Sequence, residues 1–210
     1  MAMTQDRIIY VGAEAEIQVS TYLGMEVIKK KRRSKSYRIK EIDSLLISTR
    51  TKEESKLIIE ARSCGVSVPI IYDVDILSGV ITMEYIKGRR IKDILNTLDE
   101  DERKRICHKI GVSIARLHNH DIIHGDITTS NMILNDDRIY FIDFGLGCKS
   151  SDVEYKGVDL HVLMEAFAST HSRYPSCFNY VFEGYKEEYK GNADLINDKI
   201  NEIVQRGRYR

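Results

Sequence analysis

His124-Gly125-Asp126-Ile127-Thr128-Thr129-Ser130-Asn131, followed twelve residues later by Asp143-Phe144-Gly145, is the stretch that decides how this chain folds. Between its two halves, Met132-Ile133-Leu134 reads as a strand, Asn135-Asp136-Asp137 as a turn, and Ile139 to Ile142 as a second strand running into Asp143. Such a hairpin brings Asn131 and Asp143 close together. A polar turn with Asp126 in it and Asn131 as a cap would explain either half, but not the hairpin that joins them. One carboxylate beside two hard oxygen ligands is what magnesium-assisted phosphoryl transfer requires. Asp126 would orient or deprotonate the attacking oxygen as a catalytic residue, and Asn131 and Asp143 would hold Mg²⁺.

An Asp and an Asn separated by four residues, then Asp-Phe-Gly, is the spacing of the protein-kinase catalytic loop and its metal motif. Working outward on that plan, Ile8 to Val11 reads as a strand, Gly12 to Gln18 as its turn, and Val19 to Leu23 as the returning strand. Gly12 and Val19 keep two positions of the kinase pattern G-x-G-x-x-G-x-V. Glu14 and Ile17 stand where the other glycines belong, and a carboxylate at Glu14 would repel phosphate, so the loop is expected to cover ATP loosely. Met25 to Lys29 is the next strand, and Lys29 occupies the place of the phosphate-pairing lysine, as both a catalytic and an ATP-binding residue. The plainer alternative makes Lys29 the first member of a solvated basic run, Lys29-Lys30-Lys31-Arg32-Arg33.

Lys29 needs a carboxylate partner. Glu54 shares a helical face with Leu57, Ile58 and Ala61 and therefore points inward, although it also completes a capping box with Thr51 as N-cap. Ile39 to Ile47 reads as a separate short helix before it. Val66 to Asp73 and Val80 to Ile86 read as two strands around Ser78-Gly79, ending in a hinge at Lys87-Gly88. On the kinase plan the backbone of Glu84 and Ile86 would bind adenine behind Met83, and Ile133 joins the ATP-binding set. This divides the chain into an N-terminal lobe, 1–86, and a C-terminal lobe, 87–210, that together form one catalytic domain.

Length and composition set bounds on this reading. At 210 residues and 42% hydrophobic content the chain can bury a substantial core. Lysine plus arginine equals aspartate plus glutamate at 32 each, so no bulk charge draws it to nucleic acid. Cys64, Cys107, Cys148 and Cys177 are widely spaced, with neither a zinc pattern nor a disulfide framework, which favours a reducing cytoplasm. No apolar run suits a membrane span, and the start lacks a signal peptide.

In the C-terminal part, Ile91 to Leu95 starts a helix, and Asp101 to His118 forms a long one with Ile106, Ile110, Ile114 and Leu117 on its buried face. His118, His120 and His124 do not have zinc spacing, and His124 is expected to pack beneath Phe144 as support for the site, with Gly145. Gly125 replaces the arginine that usually precedes the catalytic Asp, and no long activation segment follows Gly145. A helix opens near Lys156 and runs through Phe167, with Asp159 either its N-cap or a support for the catalytic loop's backbone. Two amphipathic helices, Phe178 to Tyr189 and Ala193 to Val204, follow. The ending Arg206-Gly207-Arg208-Tyr209-Arg210 suits contact with tRNA through Arg206, Arg208, Tyr209 and Arg210, against the default of a solvated tail.

These residues resemble one family over essentially the whole chain: the small atypical serine/threonine kinase subunit of the KEOPS (EKC) complex. The resemblance is carried by Gly12-Ala13-Glu14-Ala15, Val27-Ile28-Lys29, Arg50-Thr51 with Glu54, Met83-Glu84, the catalytic loop, Ile142-Asp143-Phe144-Gly145-Leu146, Gly157-Val158-Asp159-Leu160, Ser169-Thr170-His171 and Arg206-Gly207-Arg208. It implies an α+β, compact two-lobed protein-kinase-like fold with a small strand-rich N-lobe and a reduced helical C-lobe. It further implies binding of ATP and Mg²⁺, autophosphorylation and ATPase activity. The implied partners are the threonylcarbamoyl-transferase subunit of KEOPS, a further small KEOPS subunit, and tRNA reached through the complex, in the pathway to threonylcarbamoyladenosine. Either a free subunit or the kinase half of a fused polypeptide fits. Two other classes stay open: a small-molecule kinase, disfavoured by Asp143-Phe144-Gly145, and an ATP-binding structural subunit, disfavoured by the complete set Lys29, Asp126, Asn131 and Asp143.

Overall fold

The computed structural model describes residues 6–208. The chain divides into two units: one holds the chain up to Glu60 together with Pro69–Lys87, and the other holds Ala61–Val68 and the chain from Gly88 onward. The short segment Ala61–Val68 thus leaves the expected N-terminal lobe. Its backbone explains why: the Phe141 N–H donates to Ser67 O at 2.9 Å, and Arg116 Nη1 donates to Gly65 O at 3.4 Å.

The first unit is an antiparallel five-stranded sheet in the order β1-β2-β3-β5-β4, with one helix. Its strands are β1 (Arg7–Val11), β2 (Ala15–Tyr22), β3 (Met25–Arg32), β4 (Ile71–Asp75) and β5 (Val80–Glu84). Leu23 and Gly24 both have positive φ, 49° and 81°, which lets a two-residue turn close the β2–β3 hairpin. β2 begins at Ala15, earlier than expected, so the turn after β1 is short. β4 begins at Ile71 rather than Val66, because the residues before Pro69 belong to the other unit.

The expected pair of helices is a single helix, α1 (Lys40–Ser63). Thr51 is not an N-cap: it is interior and buried, and its hydroxyl donates back to Ile47 O at 2.7 Å. Asp43 secures the start of α1, accepting from Ser34 Oγ at 2.6 Å, the Lys35 N–H at 3.2 Å and Arg38 Nη1 at 3.2 Å. These donors, Ser34 foremost, hold its carboxyl below the usual aspartate range. Gly79, at φ +67°, admits no side chain, since a Cβ there would lie 2.4 Å from Ile47 Cγ2.

The second unit is mainly helical. It comprises β6 (Arg89–Arg90), α2 (Ile91–Ile94) with a 3₁₀ turn over Leu95–Thr97, α3 (Glu100–Asn119), β7 (Ile122–Ile123), a 3₁₀ turn over Thr129–Asn131, β8 (Met132–Asn135), β9 (Arg138–Phe141), β10 (Cys148–Lys149), α4 (Val153–Thr170), α5 (Cys177–Glu188) and α6 (Ala193–Arg208). β6-β8-β9 form one small sheet and β7-β10 another. Asp99 caps α3 by accepting the Glu102 N–H, and Ile106, Ile110, Ile114 and Leu117 fill its buried face as the spacing predicts. Two glycines let α3 and α5 meet backbone to backbone: a Cβ on Gly111 would sit 1.8 Å from Val181 O, and one on Gly184 would sit 2.2 Å from His108 O. Among the described residues no helix is long and apolar enough to cross a membrane.

Candidate active site

The second unit assembles the catalytic loop around one buried carboxylate. Asp159 is not the N-cap of α4, a role taken by Asp152; it lies about two turns further in. From there Asp159 Oδ2 accepts the His124 N–H at 2.7 Å, and Oδ1 accepts the Gly125 N–H at 2.8 Å. Its other contact is His118 Nε2 at 3.4 Å, whose Nδ1 meets the Tyr185 hydroxyl at 3.0 Å. His118 is thereby a structural link between α3, α4 and α5. Among the described residues no group of three or more His, Cys, Asp or Glu could hold a metal.

His124 is fully buried, its ring centroid 4.4 Å from that of Phe144, as expected of a support beneath the site. Burial holds its pKa below the ordinary histidine value. The neutral ring fits its surroundings. Nδ1 accepts the Asp126 N–H at 3.3 Å, which assigns the proton to Nε2, where it is donated to Ile142 O at 3.2 Å. One imidazole thus ties the residue before Asp143 to Asp126. Gly125 has φ +83°, and a Cβ on it would lie 2.2 Å from Leu146 O. No arginine could occupy this position without displacing that backbone.

Asn131 reaches back across the loop, its Nδ2 donating to Asp126 O at 2.9 Å and to Asp126 Oδ2 at 2.8 Å. Spending the amide nitrogen this way leaves Oδ1 as a hard oxygen for a cation. The β8–β9 hairpin forms as read, pairing Met132 with Phe141 and Ile133 with Tyr140. The Ile142 N–H then donates to Asn131 O at 3.0 Å, which sets Asn131 and Asp143 side by side. Asp143 is exposed, and its backbone sits at φ +67°, the left-handed region that a non-glycine residue occupies only when its surroundings impose it. An exposed carboxylate, a free amide oxygen and a second carboxylate suit Mg²⁺, which takes few protein ligands and keeps water.

A second support was not read from the sequence. Thr129 Oγ1 lies 3.0 Å from His171 Nε2, and His171 Nδ1 lies 2.7 Å from Asn96 Oδ1, so the 3₁₀ turn between Asp126 and Asn131 is held from the end of α4. Nothing in the sequence marks Asn96, which meets His171 across 75 positions of chain.

In the first unit Glu54 pairs with a different lysine from the one expected. Glu54 is buried as expected, but its partners are Lys30 Nζ on Oε1 at 2.5 Å and Arg32 Nη2 on Oε2 at 2.5 Å. Lys29 instead points from the other side of β3, and its ion-pair contact is Asp6 at 3.9 Å. The reason is the pleat: successive side chains of a strand alternate faces, so Lys30 and Arg32 share one and Lys29 and Lys31 the other. Five consecutive basic residues, Lys29 to Arg33, hide that choice. Only the position of Glu54 on α1 reveals which face is wanted.

The remaining expected ATP-binding residues are placed as follows. Val19 is buried in β2, and Gly12 lies in the β1–β2 turn, its N–H donating to Ala15 O at 2.9 Å. The Glu84 N–H is committed to Ile70 O at 2.8 Å, so this donor is not open to adenine. The Ile86 side chain is buried. Ile133, in β8, is half-buried. At the far end, Arg206 and Arg208 belong to α6 rather than to a loose tail, and Arg206 Nη2 donates to Glu154 at 2.7 Å. Tyr209 and Arg210 lie outside the described residues.

A RIO-domain family profile matches residues 17–167. The KEOPS complex subunit Bud32 of Pyrococcus abyssi is 43% identical over 97% of this chain and 96% of its own length. The probable serine/threonine-protein kinase BUD32 homolog of Archaeoglobus fulgidus is 39% identical over 96% and 95%. A probable bifunctional tRNA threonylcarbamoyladenosine biosynthesis protein of Methanobrevibacter smithii is 46% identical over 97% of this chain, which spans only 37% of that relative. Among solved structures, the Rio2 kinase from Chaetomium thermophilum in its ADP/Mg²⁺-phosphoaspartate complex aligns with TM-score 0.62 at 15% identity, covering 97% of this chain and 71% of that one. WaaP in complex with acyl carrier protein aligns with TM-score 0.67 at 12% identity, over 98% and 87%. At such identities the likeness is one of fold, and the fold is α+β and kinase-like.

Proposed function

The chain belongs to the RIO-domain family of atypical kinases, in its Bud32 branch, and from that premise we propose that it is an ATP- and Mg²⁺-dependent serine/threonine kinase and ATPase. We further propose that it serves threonylcarbamoyladenosine formation in tRNA as a KEOPS subunit, beside the threonylcarbamoyl-transferase subunit and a further small subunit. The names of the Pyrococcus and Methanobrevibacter relatives support that assignment, the second because a chain named as a probable bifunctional tRNA threonylcarbamoyladenosine biosynthesis protein contains a segment 46% identical to this one.

The observation that carries the chemistry is the Asp126–Asn131 bond beside Asp143. Asp126 accepts the proton of the attacking hydroxyl or water and aims its oxygen at the phosphorus. Asn131 and Asp143 would hold Mg²⁺, which would supply positive charge to offset that of the phosphates. Lys30, fixed by Glu54, neutralises charge on the phosphates in the part first read onto Lys29. Autophosphorylation on serine or threonine follows when the hydroxyl belongs to this protein. Any tRNA contact from the C-terminal end would draw on Arg208, Tyr209 and Arg210, because Arg206 is engaged with Glu154.

Phosphate release and nucleotide binding by the purified protein, alone and with the transferase partner and tRNA, test this. Asp143→Ala should lower Mg²⁺-dependent turnover by about 100-fold or more with the fold intact. Asp126→Asn should abolish transfer yet still bind Mg-ATP by calorimetry. Turnover near the wild-type rate in Asp143→Ala would sink the site assignment.

A further inference from the structure

Glu14 presents a contradiction at sequence level: a carboxylate in a turn whose position in kinases is reserved for glycine, where it should repel phosphate. The structure shows where that charge goes. Glu14 Oε2 accepts from Arg50 Nη1 at 2.6 Å and lies 3.9 Å from Arg32 Nη1. Arg32 in turn binds Glu54, and Glu54 binds Lys30. Five side chains of alternating sign, Arg50, Glu14, Arg32, Glu54 and Lys30, therefore run unbroken from the β1–β2 turn to the lysine assigned to phosphate.

The turn is fastened along its backbone as well. The Arg33 N–H donates to Glu14 O at 3.0 Å, Arg33 Nη1 to Gly12 O at 3.4 Å, and Lys35 Nζ to Ala13 O. Glu14, Arg32, Arg33 and Arg38 line one small recess together with Ile47 and Arg50 of α1, about 10 Å³ in volume, room for no more than a single water. Arg32 is 7% exposed and its Nε has no hydrogen-bond partner among the described residues, so the charge of Glu14 adds to the compensation that Glu54 and the Arg50 carbonyl, accepting from Nη2 at 3.5 Å, give this guanidinium.

We propose that Glu14 and Arg50 form a latch that holds the β1–β2 turn against α1 and thereby sets the affinity for nucleotide. Glu14 is a positioning residue. It supplies through an ion pair the fixed turn that glycines provide elsewhere by close backbone approach, and its charge is consumed by two arginines rather than offered to phosphate. The proposal rests on the reading of this protein as an ATP-binding kinase.

Mg-ATP affinity and the split between KM and kcat test it. Glu14→Gln and Arg50→Met should each raise Kd and KM roughly two- to fivefold, the range an exposed ion pair commonly supplies, with kcat within about twofold. The double variant should be no worse than Glu14→Gln alone, because the two substitutions remove one shared interaction. The ratio of Glu14→Gln to wild type should also shrink toward one as salt rises to about 0.5 M, which keeps the test intact should Arg50→Met fold poorly. Tighter binding by Glu14→Gln would mean that the carboxylate only repels phosphate and would overturn the latch. Additive single effects or a salt-independent ratio would overturn it equally. If the wild-type protein bound no Mg-ATP, the kinase reading itself would fail; wild-type binding with unchanged variants would sink the latch alone.

Discussion

The catalytic loop of the second unit and the sheet-and-turn of the first are held by opposite means. The loop hangs from Asp159, 1% exposed, which accepts two backbone N–H groups, and from His124, buried and neutral. The β1–β2 turn is held by side-chain ion pairs whose outer members are open to solvent, Glu14 at 50% and Arg50 at 37% side-chain exposure. Buried bonds to backbone cost several kcal/mol to break, whereas exposed ion pairs contribute about 1 kcal/mol or less. On the proposed function, the groups assigned to metal and acceptor are thus fixed, whereas the turn assigned to cover the nucleotide is adjustable and sensitive to salt.

The largest expected effect breaks the ion-pair half. Lys30→Met should reduce turnover by about 100-fold, because it removes the charge proposed to neutralise phosphate and deprives buried Glu54 of one of its two cations. Lys29→Met, on the opposite face of β3 and paired only with Asp6 in the described contacts, should stay within about threefold of wild type. Steady-state ATP hydrolysis of the two variants measured side by side decides the matter. A greater loss for Lys29→Met would restore the reading from the sequence and refute the one from the pleat.

That pair of variants marks where the sequence was legible. The hairpin from Asn131 to Asp143 could be read because its spacing, its turn residues and its metal chemistry all sit within twenty consecutive positions. Lys30 could not, because period-two alternation fixes only that neighbours face apart, and a run of basic residues supplies both faces with the same chemistry. Thr51 reads equally well as an N-cap that would split α1 and as an interior residue, and only the structure shows its hydroxyl satisfied on the carbonyl four residues back. Asp159 has two roles open to it in the sequence, and tertiary contact with the His124 and Gly125 N–H groups decides between them. Asn96 was invisible, since a lone asparagine 75 residues from its partner carries no local pattern.

A smaller effect, on stability rather than chemistry, comes from the buried half. Asp159→Ala strands the His124 and Gly125 N–H groups and leaves His118 Nε2 without its acceptor, which should cost about 2–4 kcal/mol in denaturant unfolding. Asp159→Asn keeps one acceptor oxygen and should lie between this and wild type. The loss should hold from low to high salt, in contrast to Glu14→Gln. A salt-dependent loss would erase the distinction between the two halves.

The smallest effect concerns His171, which steadies Thr129 inside the catalytic loop. Burial keeps its pKa below the ordinary value of 6.5, so in the folded protein it stays neutral after its unfolded counterpart has taken a proton. The unfolded state therefore binds more protons once pH falls below about 6.5, and stability declines from there toward the depressed folded value. His124 shifts in the same direction and adds to the decline. His171→Gln, which keeps both a donor and an acceptor for Asn96 and Thr129, should unfold at a denaturant midpoint that falls less steeply than wild type between pH 7.5 and 5.5, with the remaining slope due largely to His124. Equal slopes would show that His171 titrates as freely in the folded protein as in the unfolded chain. The Thr129–His171–Asn96 connection would then be too open to water to count among the buried bonds that fix the loop, and the contrast with the ion-paired turn would rest on Asp159 and His124.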